Sequence, residues 1–384
     1  MKRIILNVGL CLLFPALVTA QEVRKNRPDG GYLFTIDHDI AATEVKSQDR
    51  SGTCWSYSTV SFLESELIRT GKGSHDLSEM FVVRNTYPKK VELYLRMQGN
   101  SRLSAGGTFH DVLNVLRTDG IVPQEAFSGL ADGEQSHNHA ELDALMETMA
   151  KTWVDNPAGK LSTKWKPALE GVLDAYLGQD ITEFEYQGKS YSPQSFAEEL
   201  ELDADEFIEF TSFIHQPFYE KNLLEIPDNW DYHQMYNLPL EELVEVMDYA
   251  LSNGFTVAWD ADVSEKTFSH KNGVAVMPAT PYRKLSADER KALFNEPQPE
   301  LEVTPENRQA AFDDYTTTDD HLMHITGMAH DQNGTPYYLV KNSWGDSNAC
   351  GGYLYVSLPY VQAKTIHILI HKDAVPKEIM KKLK

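Results

Sequence analysis

Apolar side chains recur every three to four positions in two early stretches of the chain, a spacing that predicts amphipathic α-helices. The first stretch starts at Cys54 and reaches a stop signal at Gly71. Its apolar stripe comprises Tyr57, Val60, Leu63 and Leu67. The second stretch covers 109–118 and stops at Gly120. Cys54 is therefore expected at the N-terminus of a helix.

The middle of the chain, from about 132 to 250, is polar and rich in helix-forming residues. The segments AELDALMETMAKTWV and LEELVEVMDYALSNG show the helical period, and SPQSFAEELELDADEF begins with turn and cap residues. We interpret 132–250 as a large helical insertion, and the acidic run 199–207 as the solvated face of a helix.

Strand patterns gather late in the chain. The segment GFTVAWDADV is typical of a buried strand, and 322–358 of a series of β-strands with a turn at Asn333 and Gly334. The segment RKLSADERKALFN between them is typical of an exposed helix. Helices early and strands late indicate an α+β protein.

The first twenty residues resemble a secretory signal, with a basic start, a short apolar stretch and small residues up to Ala20. We expect cleavage after Ala20, one mature domain over 21–384, and an exported protein. No later apolar run approaches the length of about 20 residues that a membrane helix needs.

The net charge limits the classes of binding partner, and the cysteine count limits the number of disulfides. The formal net charge is −22, and removal of Lys2 and Arg3 with the signal makes it −24, which argues against nucleic acid and anionic lipid as partners. Only Cys54 and Cys350 then remain, too few for a disulfide framework. Cys350 lies in a Gly-rich turn and is predicted to be a free thiol.

Cys54 is either a nucleophile or a small buried residue. A thiol attacks as thiolate, and a helix N-terminus favours that anion and lowers the thiol pKa. The reaction also needs a base, a group that orients the base, and donors for an oxyanion. Gln48, six residues upstream, has an amide that serves as such a donor, as does the backbone N–H of Cys54.

Two motifs resemble the signatures of papain-like cysteine peptidases. They are Gln48, Gly52, Cys54 and Trp55 in the order Q-x-x-x-G-x-C-W, and Asn342, Ser343, Trp344 and Gly345 as NSWG. The resemblance implies that Cys54 is the nucleophile, Gln48 forms the oxyanion hole and Asn342 orients a histidine base. It also implies a fold of two lobes, one helical and one β-rich, with peptides as substrates and no metal or organic cofactor.

The spacing indicates a branch of that family. From Cys54 to His321 there are 321 − 54 = 267 positions, against roughly 130 to 150 in enzymes of ordinary length. This spacing, Ser51 and the late segment HKDAVPKEI resemble bleomycin hydrolase and aminopeptidase C. The likeness implies that Gly106 and Gly107 pair with substrate, and that the protein is an aminopeptidase and a hexamer.

The base is His321 or His324, because both precede Asn342 within DDHLMHITG. The parity of the hairpin that leads to Asn342 decides which of them faces it. Gly327 stands six residues after His321, as in the family, which favours His321. Trp344 is expected to shield the His–Asn hydrogen bond, with Trp55 as a second supporting tryptophan.

Several alternatives remain open. In the family a C-terminal arm restricts the cleft, and here the sequence stops at Lys384, so an endopeptidase with an open cleft is the alternative to an aminopeptidase. A Cys-His-Asn acyltransferase and an inactive peptide-binding scaffold are the others. His137 and His139 have a metal-like spacing without nearby companions, and we predict no metal site there.

Overall fold

The structure is a computed structural model that describes residues 22–131 and 133–384. The signal sequence predicted at 1–20 lies outside the described residues. Within the described part of the chain, no helix combines the length and the apolar character that a membrane crossing requires.

Eleven α-helices and fourteen strands make up the described chain. The helices are α1 Cys54–Arg69, α2 Glu79–Arg96, α3 Phe109–Thr118, α4 Ala140–Val154, α5 Trp165–Leu177, α6 Pro193–Leu200, α7 Leu240–Ser252, α8 Ala287–Ala292, α9 Pro305–Asp313, α10 Leu358–Lys364 and α11 Lys377–Met380. The strands are β1 Val23–Lys25, β2 Leu33–Asp39, β3 Phe184–Tyr186, β4 Lys189–Tyr191, β5 Phe207–Thr211, β6 Lys221–Leu223, β7 Gln234–Asn237, β8 Val257–Ala261, β9 Phe268–Ser269, β10 Val274–Ala275, β11 His321–His330, β12 Pro336–Lys341, β13 Tyr353–Ser357 and β14 Thr365–His371.

The helical lobe is built around α1, which is buried along most of its length. Helices α2 and α3 pack on it from one side and strand β11 from another. The predicted stripe of α1 is confirmed, since Val60, Leu63 and Leu67 are all buried in the core of this lobe. The helix predicted at 109–118 is also confirmed, with the same bounds.

The second lobe is a mixed sheet with the order β6-β7-β5-β14-β8-β11-β12-β13-β10-β9. Strand β8 pairs with the first half of β11, and β2 pairs with its second half. Every residue of β8 is buried, which confirms the buried strand predicted there. Helix α7 packs against this sheet and contributes to a second core. Strand β11, which begins at His321, also contacts helix α1, which begins at Cys54.

The segment 133–250 is not purely helical. It holds α4 to α7, but also strands β3 to β7, of which β5, β6 and β7 extend the main sheet.

The prediction of a helical face at 199–207 is wrong. Helix α6 ends at Leu200, Glu201 adopts a left-handed conformation, and β5 begins at Phe207. The charged residue inside β5, Glu209, is buried beside three histidines from other elements. Because the residues that stabilise this charge are distant in sequence, the local sequence pattern does not indicate that the segment is a buried strand.

Candidate functional site

A tight turn from Gln48 to Thr53 delivers Cys54 to the start of α1. The Ser51 hydroxyl donates to the Gln48 carbonyl at 2.7 Å. Gly52 has a φ of +66°, in the left-handed region that favours glycine. A Cβ at this position would also come within 2.9 Å of the Ala105 Cβ. The turn therefore needs glycine for both conformation and space.

His321 and Asn342 form the hydrogen-bonded pair of the site. Nε2 of His321 lies 2.7 Å from Oδ1 of Asn342, and the backbone N–H of Ser343 donates to the same oxygen at 2.7 Å. Because a backbone N–H only donates, the second bond identifies this atom as the amide oxygen. Nε2 of His321 therefore carries the proton, and Nδ1 keeps the lone pair that a base needs.

His324 has a different environment from His321. Its Nδ1 lies 2.9 Å from the Ser61 hydroxyl on α1, and that hydroxyl accepts a hydrogen bond from Lys341 Nζ at 2.8 Å. The register of β11 against β12 shifts between Ile325 and Gly327. Parity counting along the hairpin cannot foresee such a shift, which explains why the sequence left both histidines open. The structure brings His321 to Asn342.

Trp344 covers one face of the His321 ring. The two rings are stacked with centroids 4.7 Å apart, while 39% of Trp344 is exposed. His270 packs edge-on against Trp344, and its Nδ1 lies 3.4 Å from Nδ2 of Asn342. Burial lowers the pKa of His270, which keeps a lone pair available for that amide. Sequence reasoning missed His270, which lies far from both motifs in the chain.

Gln48 is anchored by the neighbour of Asn342. The Ser343 hydroxyl donates to Oε1 of Gln48 at 2.6 Å, and the backbone N–H of Gln48 donates to the Ser343 carbonyl at 2.8 Å. The amide oxygen of Gln48 is thereby held, which leaves the Nε2 donor for a ligand. The sequence motif contained Ser343 but gave it no role.

Burial dominates the ionisation of the site. It raises the pKa of Cys54 to about 12, although a backbone hydrogen bond from Leu322 favours the thiolate. It lowers the pKa of His321 to about 4, although the bond to Asn342 acts in the opposite direction. The prediction of a lowered thiol pKa is therefore wrong, because desolvation of the buried thiol outweighs the hydrogen bond from Leu322. A neutral thiol accompanies a neutral imidazole.

The predicted substrate-binding glycines are closely packed. A Cβ on Gly107 would contact the Trp55 ring and the Asp111 carboxylate, and a Cβ on Gly106 would overlap the carboxylate of Asp228. Trp55 is fully buried and donates to the Ala105 carbonyl at 3.0 Å. Pairing of the two glycines with substrate stays a prediction, and Asp228 covers Gly106 in this structure.

Two pairs of histidines pack together, His137 with His139 and His110 with His233. The rings of His137 and His139 meet edge to face at 5.6 Å, and the backbone of this segment pairs with Arg50 next to the Cys54 turn. His110, Glu209 and His233 bring possible ligand atoms within 4.8 Å of one another. His110 Nε2, however, is already bonded to an Asp231 carboxylate oxygen at 2.7 Å.

Cys350 lies apart from Cys54. Its sulfur is 3.0 Å from the Asn26 carbonyl oxygen, and burial raises its pKa to about 11. Both cysteines of the described chain are free.

Comparisons with known proteins identify the family and the fold of the chain. Residues 180–384, more than half of the chain, match the model of the peptidase C1-like family. Aminopeptidase C of Listeria monocytogenes is 22% identical over 90% of this chain and 84% of its own length, and aminopeptidase C of Streptococcus thermophilus is 21% identical over 94% and 87%. The crystal structure of PepW from Lactobacillus rhamnosis HN001 superposes with a TM-score of 0.69 at 20% identity, covering 91% of this chain and 84% of that one. The fold is thus the papain-like α+β fold, and the chain belongs to the peptidase C1-like family.

Proposed function

We propose that this protein is a cysteine aminopeptidase whose nucleophile is Cys54 and whose base is His321. The observation that carries the proposal is the hydrogen bond from His321 Nε2 to Asn342 Oδ1, which leaves Nδ1 as the basic atom. Further support comes from membership of the peptidase C1-like family and from similarity to proteins named aminopeptidase C.

In the first half of the reaction, Cys54 Sγ forms a bond to the carbonyl carbon of the scissile amide while its proton passes to His321 Nδ1. The oxyanion accepts hydrogen bonds from Gln48 Nε2 and the Cys54 backbone N–H. The C–N bond then breaks, and His321 gives its proton to the departing amine. The products are a thioester on Cys54 and a free amine.

In the second half, His321 takes a proton from water as the water oxygen attacks the thioester. The C–S bond breaks, the proton returns to the sulfur, and the carboxylic acid leaves. Asn342 accepts the hydrogen bond from Nε2 of His321 throughout and keeps the ring in one orientation. Trp344 covers one face of the His321 ring and limits the approach of water to the His–Asn bond.

The test compares the two free thiols. Cys54→Ala should abolish hydrolysis of a leucyl-coumarin amide, whereas Cys350→Ala should retain it, with thermal unfolding as the check that both variants fold. Undiminished hydrolysis by Cys54→Ala would reject the proposal.

The N-acetylated twin of the same substrate separates two kinds of peptidase. An aminopeptidase loses cleavage on acetylation, and an endopeptidase cleaves both at equal rates. Amide formation with an added amine would favour the acyltransferase. Export and a hexameric assembly stay predictions.

A further inference from the structure

Besides burial, the carboxyl groups of three aspartates, Asp319, Asp260 and Asp228, raise the pKa of Cys54. Asp260 on β8 stands opposite Leu322 of β11, and Leu322 supplies the backbone hydrogen bond to the Cys54 thiol. Asp319 precedes Leu322 by three residues, and burial together with the nearby Asp260 carboxyl group raises the pKa of Asp319. Asp228 approaches from the loop before β7, where it accepts a hydrogen bond from the Ser104 hydroxyl at 3.2 Å.

Two oxygens of this group lack a donor. Asp260 is fully buried, and its Oδ2 lies 2.9 Å from His367 Nδ1. Its Oδ1, like Oδ2 of Asp319, is buried without a hydrogen-bond partner in the described chain. A buried carboxylate oxygen without a donor is costly. A proton shared between the two carboxyl groups would satisfy both oxygens.

The sources of positive charge nearby are few. Burial lowers the pKa of His367 to about 4, so its ring is neutral and donates from Nδ1 to Asp260. Lys90 lies near Asp228, but its ammonium donates to the carbonyls of Ser104 and Gly106. In the described residues, no lysine or arginine forms an ion pair with Asp260 or Asp319.

We propose that Asp319, backed by Asp260 and faced by Asp228, binds the α-ammonium group of the substrate's N-terminal residue. This inference rests on the proposed function. An ammonium offers three N–H donors and one positive charge, which match the two unpartnered oxygens. When it binds, the proton shared by the carboxyl groups leaves to solvent.

The position of the group relative to Cys54 fits this role. In an N-terminal residue, the amine nitrogen is only two bonds from the carbonyl carbon that the sulfur attacks. The ammonium site must therefore lie beside Cys54, and Asp260 stands opposite Leu322, the residue whose backbone hydrogen-bonds the Cys54 thiol. Asp228 covers Gly106, so a residue N-terminal to the scissile one would meet its carboxylate. The three aspartates thus bind a free N-terminus and leave little room for a longer chain.

The test removes one charge with little change of shape. Asp319→Asn should lower kcat/KM for leucyl-coumarin amide by about 10- to 100-fold, mainly through KM, because a charge-assisted pair is lost. The low rate on the N-acetylated twin should not fall, so the ratio between the two substrates collapses. Asp346→Asn, an exposed residue with the same charge change, is the matched control and should keep the wild-type ratio.

Alkylation of Cys54 by iodoacetamide needs no ammonium site, and the Asp319 charge raises the pKa of Cys54, so alkylation should be no slower in Asp319→Asn than in the wild type. If that variant does not fold, Asp228→Asn should lower the same ratio. An unchanged ratio in folded Asp319→Asn or Asp228→Asn overturns the inference. A second result would also overturn it. If the wild-type enzyme cleaves acetyl-lysyl-leucyl-coumarin best, and Asp319→Asn loses only this activity, then the aspartates bind a basic side chain instead. A wild type inactive on all three substrates would instead count against the proposed function.

Discussion

Ser343 hydrogen-bonds the two amide side chains of the site, those of Asn342 and Gln48. Its backbone N–H donates to Asn342, and its hydroxyl donates to Gln48. One residue therefore holds both the amide that orients the base and the amide proposed to stabilise the oxyanion. Such second contacts keep reacting groups within a fraction of an ångström of their working positions.

Ser343→Ala removes only the hydroxyl and leaves the backbone bond to Asn342. We expect kcat to fall on the order of 10-fold with little change in KM, because Gln48 loses its anchor but keeps its donor. Gln48→Ala should cost more, on the order of 10² to 10³ in kcat. Steady-state kinetics of the two single variants and the double variant provide the check. If the double variant multiplies the two losses, Ser343 does not act through Gln48.

At the residue scale, the sequence predicted those site residues that belong to short local motifs. Gln48, Cys54 and Asn342 are recognisable from their neighbours, and the glycine after His321 favoured the histidine that Asn342 contacts. Asp260 and Asp319 escaped notice because their chemistry arises only when β8 and the start of β11 lie side by side. The same holds for the thiol pKa, since burial by the opposite lobe is invisible in a helix pattern.

The turn before α1 positions the sulfur of Cys54. Its left-handed glycine, Gly52, lies against Ala105, whereas Gly71 after the same helix has a φ of +77° and open space around it. The two glycines share a conformation and differ in crowding, which makes them a matched pair.

Gly71→Ala should cost about 1 to 2 kcal/mol of unfolding free energy, the strain of a left-handed non-glycine residue. Gly52→Ala should cost more, and should also lower kcat, because the clash with Ala105 must displace the Cys54 turn. Urea unfolding and kcat measured on both variants provide the test. Equal losses of stability with unchanged kcat in Gly52→Ala would show that the turn does not depend on this contact.

At the element scale, strongly periodic helices were predictable and strands with buried charge were not. Helix α3 was predicted to the residue because its apolar face and its stop signals are local. Strand β5 was missed because Glu209 makes it look solvated, although His110, His233 and His367 surround that carboxylate. In that segment, contacts with residues distant in sequence determined the secondary structure.

At the scale of the whole molecule, the proposed reaction requires the Cys54 sulfur of one lobe to meet the His321 imidazole of the other. Helix α1 carries Cys54, and β11 begins at His321, 267 positions later. The long spacing predicted a large insertion, and the structure adds that part of it joins the main sheet through β5, β6 and β7. That joining could not be read from composition, because strand pairing depends on partners distant in sequence.

The central claim is that His321 of one lobe serves as the base for Cys54 of the other. The rate of Cys54 alkylation by iodoacetamide, followed by mass spectrometry from about pH 4 upward, tests this claim most directly. With the thiol pKa raised to about 12 and the imidazole pKa lowered to about 4, the wild-type rate should stay flat near neutrality and fall only as His321 gains a proton near pH 4. His321→Gln should slow alkylation at pH 7 on the order of 10²-fold, and His324→Gln should leave it close to wild type. Unslowed alkylation in His321→Gln, or a loss confined to His324→Gln, would contradict the assignment of His321 as the base that serves Cys54.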